Sequence, residues 1–496
     1  MTPDFVLRTG GKTKILNAMT NLRWLLVLFL GFSGSGPGLA EELWIGRASV
    51  SITPGLPVAL SGQMHTRIAK EVESEVIASA VALESREGDA SIDQAIMVSC
   101  DLVAIRKGIL ELVRERVSKR LPDFDLRKIF LSATHTHTAP VLVPGKYTIP
   151  EEGVIQPEEY RNFLADRVAE IIEEAWNNRE PGAVGWGLGH AVVAQNRRTV
   201  YSNGVAQMYG STGKETFREI EGYEDHGVEV LFFWNRENQL IATAINVACP
   251  SQEVESISKV SADFWHPVRE KLRASHGGDL VILTWAGASG DQSPHLMYRK
   301  AAEERMRKLR GLNRLDEIGR RVVAAWEEAY EGAVQEIHTE VPFSHQVKDI
   351  QLPLRVVTEE EFKNAETKFR EFSTQVKTLR KALWHQNVMD RYHAQKEGTA
   401  KPYEMELHVI RIGDVAIATN PFELFTDFGL RMKTQSPALQ TFVVQLTGPG
   451  TYLATERAVR GGGYSAIIES NEVGPEGGQF LVKETSTVIR SLWPEE

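Results

Sequence analysis

Between Glu42 and about Leu296, continuous apolar runs alternate with segments whose apolar residues return every three or four positions. "AIMVSCDLVAI" is apolar almost throughout and predicts a buried strand. The "GILELVRERVSKRL" that follows carries Ile109, Leu110, Val113 and Val117 at a helical period. "RKIFLSAT" then returns to the strand pattern. This β-α-β order predicts an α/β fold, β-sheets flanked by helices, with functional loops at the strand ends. Further on, "RNFLADRVAEIIEEAW" has the helical period and "GVEVLFFW" and "LIATAINVAC" read as a strand pair around "NREN". "GDLVILTWAGASGDQSP" runs from a buried strand into a glycine-rich loop.

From about Met297 to Lys401 the pattern becomes charged and helical, interrupted by the strand-like "TEVPFSHQVKDIQLPL". The segment 297–401 is expected to be a mainly helical excursion on the surface, covering a cleft. The α/β pattern resumes at "MELHVIRIGDVAIATNPFELF", with a hairpin turn at Gly413-Asp414. No internal repeat is visible, and residues 41–496 read as one catalytic unit.

Residues 1–40 read as a leader. From Met19, Arg23 provides a positive flank, Trp24 to Phe32 an apolar stretch, and Gly38-Leu39-Ala40 a small-residue cleavage site. That stretch is shorter than the ~20 apolar residues a membrane-spanning helix needs. An exported protein is expected, periplasmic or secreted and starting at Glu41, with a retained N-terminal anchor as the alternative.

The hydrophobic share of 42% and charged share of 25% are those of a folded chain. A net charge of −10 without a Lys/Arg stripe argues against a nucleic-acid partner. Two cysteines, Cys100 and Cys249, make no disulfide framework.

Candidate chemistry collects in the loops after apolar strands. "SATHTHTAP" places His135 and His137 at i and i+2, which share one face of a strand. They are therefore expected side by side where the strand gives out, as a metal site, a catalytic base or two ordinary histidines. The other such loops are "AQNRRT", "ACPSQE", "GASGDQSPH", "NPFELFT" and "TYLATERAVRGGGYS".

Their order, spacing and identities resemble the catalytic domain of the neutral/alkaline (non-lysosomal) ceramidases, zinc amidohydrolases that split the N-acyl bond of ceramide. The family's THTH is present as Thr134-His135-Thr136-His137. Its NRSP arginine is matched by Arg197 in "QNRRT", and its GDVSPN serine by Ser293 in "GDQSPH". The glutamate of its PGEFTTMSGRR is matched by Glu423 in "PFELFTDFGLR". The family's two tyrosines, twelve residues apart, are matched by Tyr452 and Tyr464. The resemblance runs from about Ile45 to Ile468.

It implies one Zn²⁺ held by His135, Cys249, Glu423 and Tyr452, with His137, Arg197, Ser293 and Tyr464 as catalytic residues. His137 would move protons, Arg197 and Tyr464 would donate hydrogen bonds to the developing oxyanion, and Ser293 would hold a substrate hydroxyl. The implied substrate is an N-acylated lipid such as ceramide, or a related amide, with peripheral contact at a membrane surface. Oligomeric state is not implied.

Two departures stand out. "VACPSQ" puts Cys249 where the family has its second zinc histidine, and the "SAD" that follows in the family is kept at Ser261-Ala262-Asp263. A thiolate binds zinc well but makes the centre less positive; His266 in "DFWHP" is a rival ligand. Only 32 residues follow Tyr464, so the family's C-terminal immunoglobulin-like domain is expected to be lacking. Two other readings stay open: a serine hydrolase using Ser293, and a non-catalytic binding module on the same scaffold.

Overall fold

Three hairpins, each extended through a helix into a parallel strand, organise the described residues 42–493 of this computed structural model. In the first, Ala90–Cys100 pairs antiparallel with Ile77–Glu87, and helix Ile109–Ser118 leads to Ile129–Ala133, parallel to Ala90–Cys100. In the second, Gly227–Trp234 and Leu240–Val247 form the hairpin, and helix Trp265–His276 leads to the parallel strand Val281–Ala286. In the third, Tyr403–Ile412 and Val415–Thr419 are followed by helix Thr426–Gln435 and the parallel strand Gln440–Val444. What recurs is connectivity rather than sequence, which is why no repeat is visible along the chain. The turn at Gly413 forms as expected, with φ 58, a left-handed conformation open to glycine.

Each hairpin unit belongs to a separate sheet, and the three sheets share one core. A single apolar cluster takes Leu83, Met97 and Phe130 from the first sheet, Leu231, Phe233 and Trp285 from the second, and Ile410, Ile417 and Phe442 from the third. Helices cover the outer faces. Val113 and Val117 of Ile109–Ser118 pack with Leu164 and Val168 of Pro157–Asn177 over the first sheet. Phe428 of Thr426–Gln435 packs with Leu481 of Pro475–Ser491 over the third. The α/β expectation holds, as a mixed fold of several sheets flanked by helices.

Segment 297–401 differs from the expected surface excursion. Helix Arg314–Ala333 buries Ile318, Val322, Ala325 and Trp326 against the second sheet, because its apolar residues form a full stripe. Strand Phe343–Leu352 completes the edge of the third sheet. The helices Lys300–Leu309, Glu359–Phe372 and Leu379–Glu397 stand apart from the sheets, the first with no buried residue. Glu359–Phe372 starts with a capping box between Thr358 and Glu361, and Leu379–Glu397 stops at Gly398 with φ 69.

The leader predicted over residues 1–40 lies outside the described residues. Among the described residues no helix is long and apolar enough to cross a membrane.

Candidate active site

Loops from the ends of the parallel strand pairs meet at one place, as open α/β sheets favour. Strand Ile129–Ala133 stops two residues short of His135, which takes φ 67. A turn, not strand alternation, therefore brings the two imidazoles together, with Nε2 of His135 and of His137 3.2 Å apart. His135 Nδ1 donates to the Val103 carbonyl at 2.7 Å, which turns Nε2 toward the site. The loop is braced from the "SAD" segment: the Thr136 and Thr138 hydroxyls each donate to the Ser261 carbonyl at 2.8 Å. Gly62 closes against the other side, where a Cβ would lie 2.5 Å from His137 Cγ.

Glu423 Oε2 lies 3.3 Å from His135 Nε2. Glu423 and Tyr452 are register partners on two short parallel strands, and the Tyr452 hydroxyl hydrogen-bonds the Glu423 carboxylate. Burial works against the carboxylate's charge, but His135, Tyr452 and Arg197 outweigh it and hold its pKa down at about 2. Arg197 donates to the Tyr452 hydroxyl at 3.1 Å and to the Gly290 carbonyl at 2.9 Å. Burial disfavours its charge too, yet Tyr452 and Tyr209 keep its pKa raised. The Tyr464 ring meets that of Tyr452 at 5.8 Å between centroids, and the residue is 38% exposed. Burial, and then Glu423, raise the pKa of both phenols.

Ser293 joins this network through Tyr209, whose hydroxyl is 2.9 Å from Ser293 Oγ and accepts from Arg197 at 3.3 Å. Among the described residues no histidine ring hydrogen-bonds Ser293 Oγ; its other partner is the His295 backbone N–H at 3.1 Å. Seven of the eight expected residues thus belong to one connected set. Cys249 is the exception: it is wholly buried beside Phe264 and Trp265, with Sγ 3.6 Å from the Pro250 carbonyl. Burial, then Asp263 and Glu253, push its thiol well up. Its loop nonetheless touches the histidine loop, since the Ser251 N–H donates to the Thr134 carbonyl at 3.0 Å. His266 is exposed on its helix.

Sequence reasoning missed Glu255 and Tyr209. Glu255 Oε2 lies 3.0 Å from His137 Nδ1 and orients that ring. Burial pushes the His137 imidazole down to about 4 against the pull of Glu255, with His135 adding to the fall. It is therefore neutral at pH 7 and able to accept a proton.

Among the described residues no group of three or more His, Cys, Asp and Glu side chains is arranged to hold a metal ion. The donors that do meet are His135 Nε2, the Glu423 carboxylate and the Tyr452 hydroxyl. A ring nitrogen and a carboxylate facing each other at 3.3 Å, the ring's other nitrogen pinned to a carbonyl, are residue types that could hold a zinc ion.

Mixed α/β architecture and site together define the class, a fold of the neutral-ceramidase kind. The chain is similar to the crystal structure of neutral ceramidase from Pseudomonas aeruginosa (TM-score 0.67, 18% identity, covering 92% of this chain and 76% of that one). It is also similar to a ceramidase complexed with C2 (TM-score 0.64, 16% identity, with the same coverages of 92% and 76%). No family model and no curated protein sequence matches the chain.

Proposed function

We propose that this protein is a zinc-dependent hydrolase of an N-acyl amide, with an N-acylated lipid such as ceramide or a related amide as its substrate class. The observation that carries this reading is the contact chain from His137 through His135 and Glu423 to Tyr452, with Arg197 and Tyr464 beside it. The solved structures it is similar to carry the ceramidase name.

His135, Glu423 and Tyr452 would hold the metal, and Cys249, outside their contact set with its thiol pKa pushed up, would join only as a thiolate deprotonated by the ion. A zinc ion there supplies activation of water and polarisation of the amide carbonyl. His137, held by Glu255, takes the proton of the attacking water and passes it to the leaving amine. Tyr464, exposed at the mouth, donates to the developing oxyanion, and the Arg197 guanidinium adds its positive field. Ser293, bonded to Tyr209, positions a substrate hydroxyl. A nucleophilic role for Ser293 lacks a base, since its side-chain partner is a phenol. Export to the periplasm or medium remains part of the proposal.

The test is hydrolysis of an N-dodecanoyl amide before chelation, after it, and after zinc is restored. Loss and recovery of fatty-acid release is expected. Full activity in chelator, with an acyl group trapped on Ser293, would establish the serine hydrolase instead.

A further inference from the structure

Behind His135 the segments 103–106 and 140–147 and the helix Leu379–Glu397 enclose a small cleft lined by Val103, Arg106, Lys146, Tyr147 and Arg380. Three cations converge in it. Among the described residues, Arg106, Lys146 and Arg380 form no ion pair with any carboxylate. Arg380 is bonded only to the Gln63 carbonyl and the Tyr147 hydroxyl. Three buried cations elsewhere have a carboxylate partner: Arg198 has Glu221 at 2.5 Å, Arg269 has Asp101 at 2.6 Å and Lys433 has Asp225 at 2.7 Å. Arg106 and Arg380 are half-buried and Lys146 is exposed at the rim, and crowding like charges with no counter-charge is costly.

The cleft adjoins the reacting centre. Val103, one of its walls, supplies the carbonyl that fixes His135. Arg106 is within electrostatic reach of Glu423 and Tyr464. Trp384, one turn beyond Arg380, packs on the Tyr464 ring at 5.7 Å between centroids. The free space for a water-sized sphere is about 10 Å³, about what one ordered water needs.

We propose that Arg106, Lys146 and Arg380 bind a carboxylate borne by the substrate, so that the amide cleaved here is that of an N-acyl amino acid rather than an uncharged lipid. The proposal rests on the amide-hydrolase reading and adds the charge of the substrate to it. Water adds across the acyl C–N bond: a C–O bond forms, the C–N bond breaks, and a water proton travels through His137 to the amine. The products are a fatty acid and a free amino acid, whose carboxylate stays in the cationic cleft until release.

The experiment compares N-dodecanoylglycine with N-dodecanoylglycinamide, which keeps the scissile amide and removes the charge. A kcat/KM ratio of at least about tenfold in favour of the acid is expected, the scale of one hydrogen-bonded charge. Lys146→Met and Arg106→Gln should each shrink that ratio, and Lys146→Arg should restore it. A ratio of one or below, or a ratio unchanged in both neutral variants, overturns the proposal. Acetate that raises glycinamide turnover to the acid's rate would show a free anion instead and also overturns it. Titration calorimetry on the His137→Ala protein reads binding without turnover. If the native protein hydrolyses neither compound, the amide-hydrolase reading fails. Tighter binding of the acid would then still support the cleft, and equal binding would overturn it.

Discussion

His135 and His137 are two residues apart and 3.2 Å apart at Nε2, yet their other nitrogens give them different work. His135 is pinned to a carbonyl and faces Glu423; His137 is pinned to Glu255. His137→Ala should lower turnover about 10²–10⁴-fold while zinc stays bound, checked by kinetics and elemental analysis on one preparation. Loss of zinc from that variant, with its retention in His135→Ala, would exchange the two roles. Cys249 is tested by alkylation. As a zinc thiolate it should resist iodoacetamide until a chelator is added, and equal rates with and without chelator would remove it from the ligand set. His135, Glu423 and Tyr452 were legible because each sits in a short motif. Glu255 and Tyr209 were not, because they reach His137 and Ser293 only through space, from 118 residues and 84 residues away along the chain.

Among the elements, strands and helices with strong periods appear where the sequence puts them, and the segment 297–401 is where expectation and structure part. Charge density suggested a surface location, but the stripe through Ile318, Val322 and Trp326 makes helix Arg314–Ala333 part of the core. The Trp326 indole also donates to the Thr243 hydroxyl at 3.0 Å. Trp326→Ala should therefore cost about 3–5 kcal/mol in denaturant unfolding. The variant's folded fraction should keep the native KM, since Trp326 touches none of the site residues. Helix Leu379–Glu397 has the opposite character, with little of its surface buried in the sheets and Arg380 and Trp384 turned toward the site. Charge density does not distinguish a helix that joins a core from one that leans over a cleft; the continuity of the apolar stripe does.

Among the described residues three main sheets with their covering helices share one apolar core, and the site lies where their loops converge. At 18% identity the similarity to a neutral ceramidase resides in this arrangement, which a few motifs can signal but cannot describe. Acid sensitivity is a property at this scale. Glu317, 1% exposed at its side chain, sits among Arg310, Arg320 and Arg321. Hydrogen bonding from Arg320, then Arg321, outweighs burial and lowers its pKa from 4.5 to about 2. A depressed carboxyl stabilises the fold above its unfolded pKa, and that contribution fades as pH falls from about 4.5 toward 2. Glu317→Gln should lower the unfolding midpoint at pH 7 and flatten its slope across that acid window, as thermal melts at several pH values would show. The zinc content of the native protein and of Glu423→Ala, at matched secondary structure by circular dichroism, bears most directly on the function. About one zinc per chain in the first and almost none in the second is expected; equal zinc in both, or none in the native protein, would contradict the metal-site assignment.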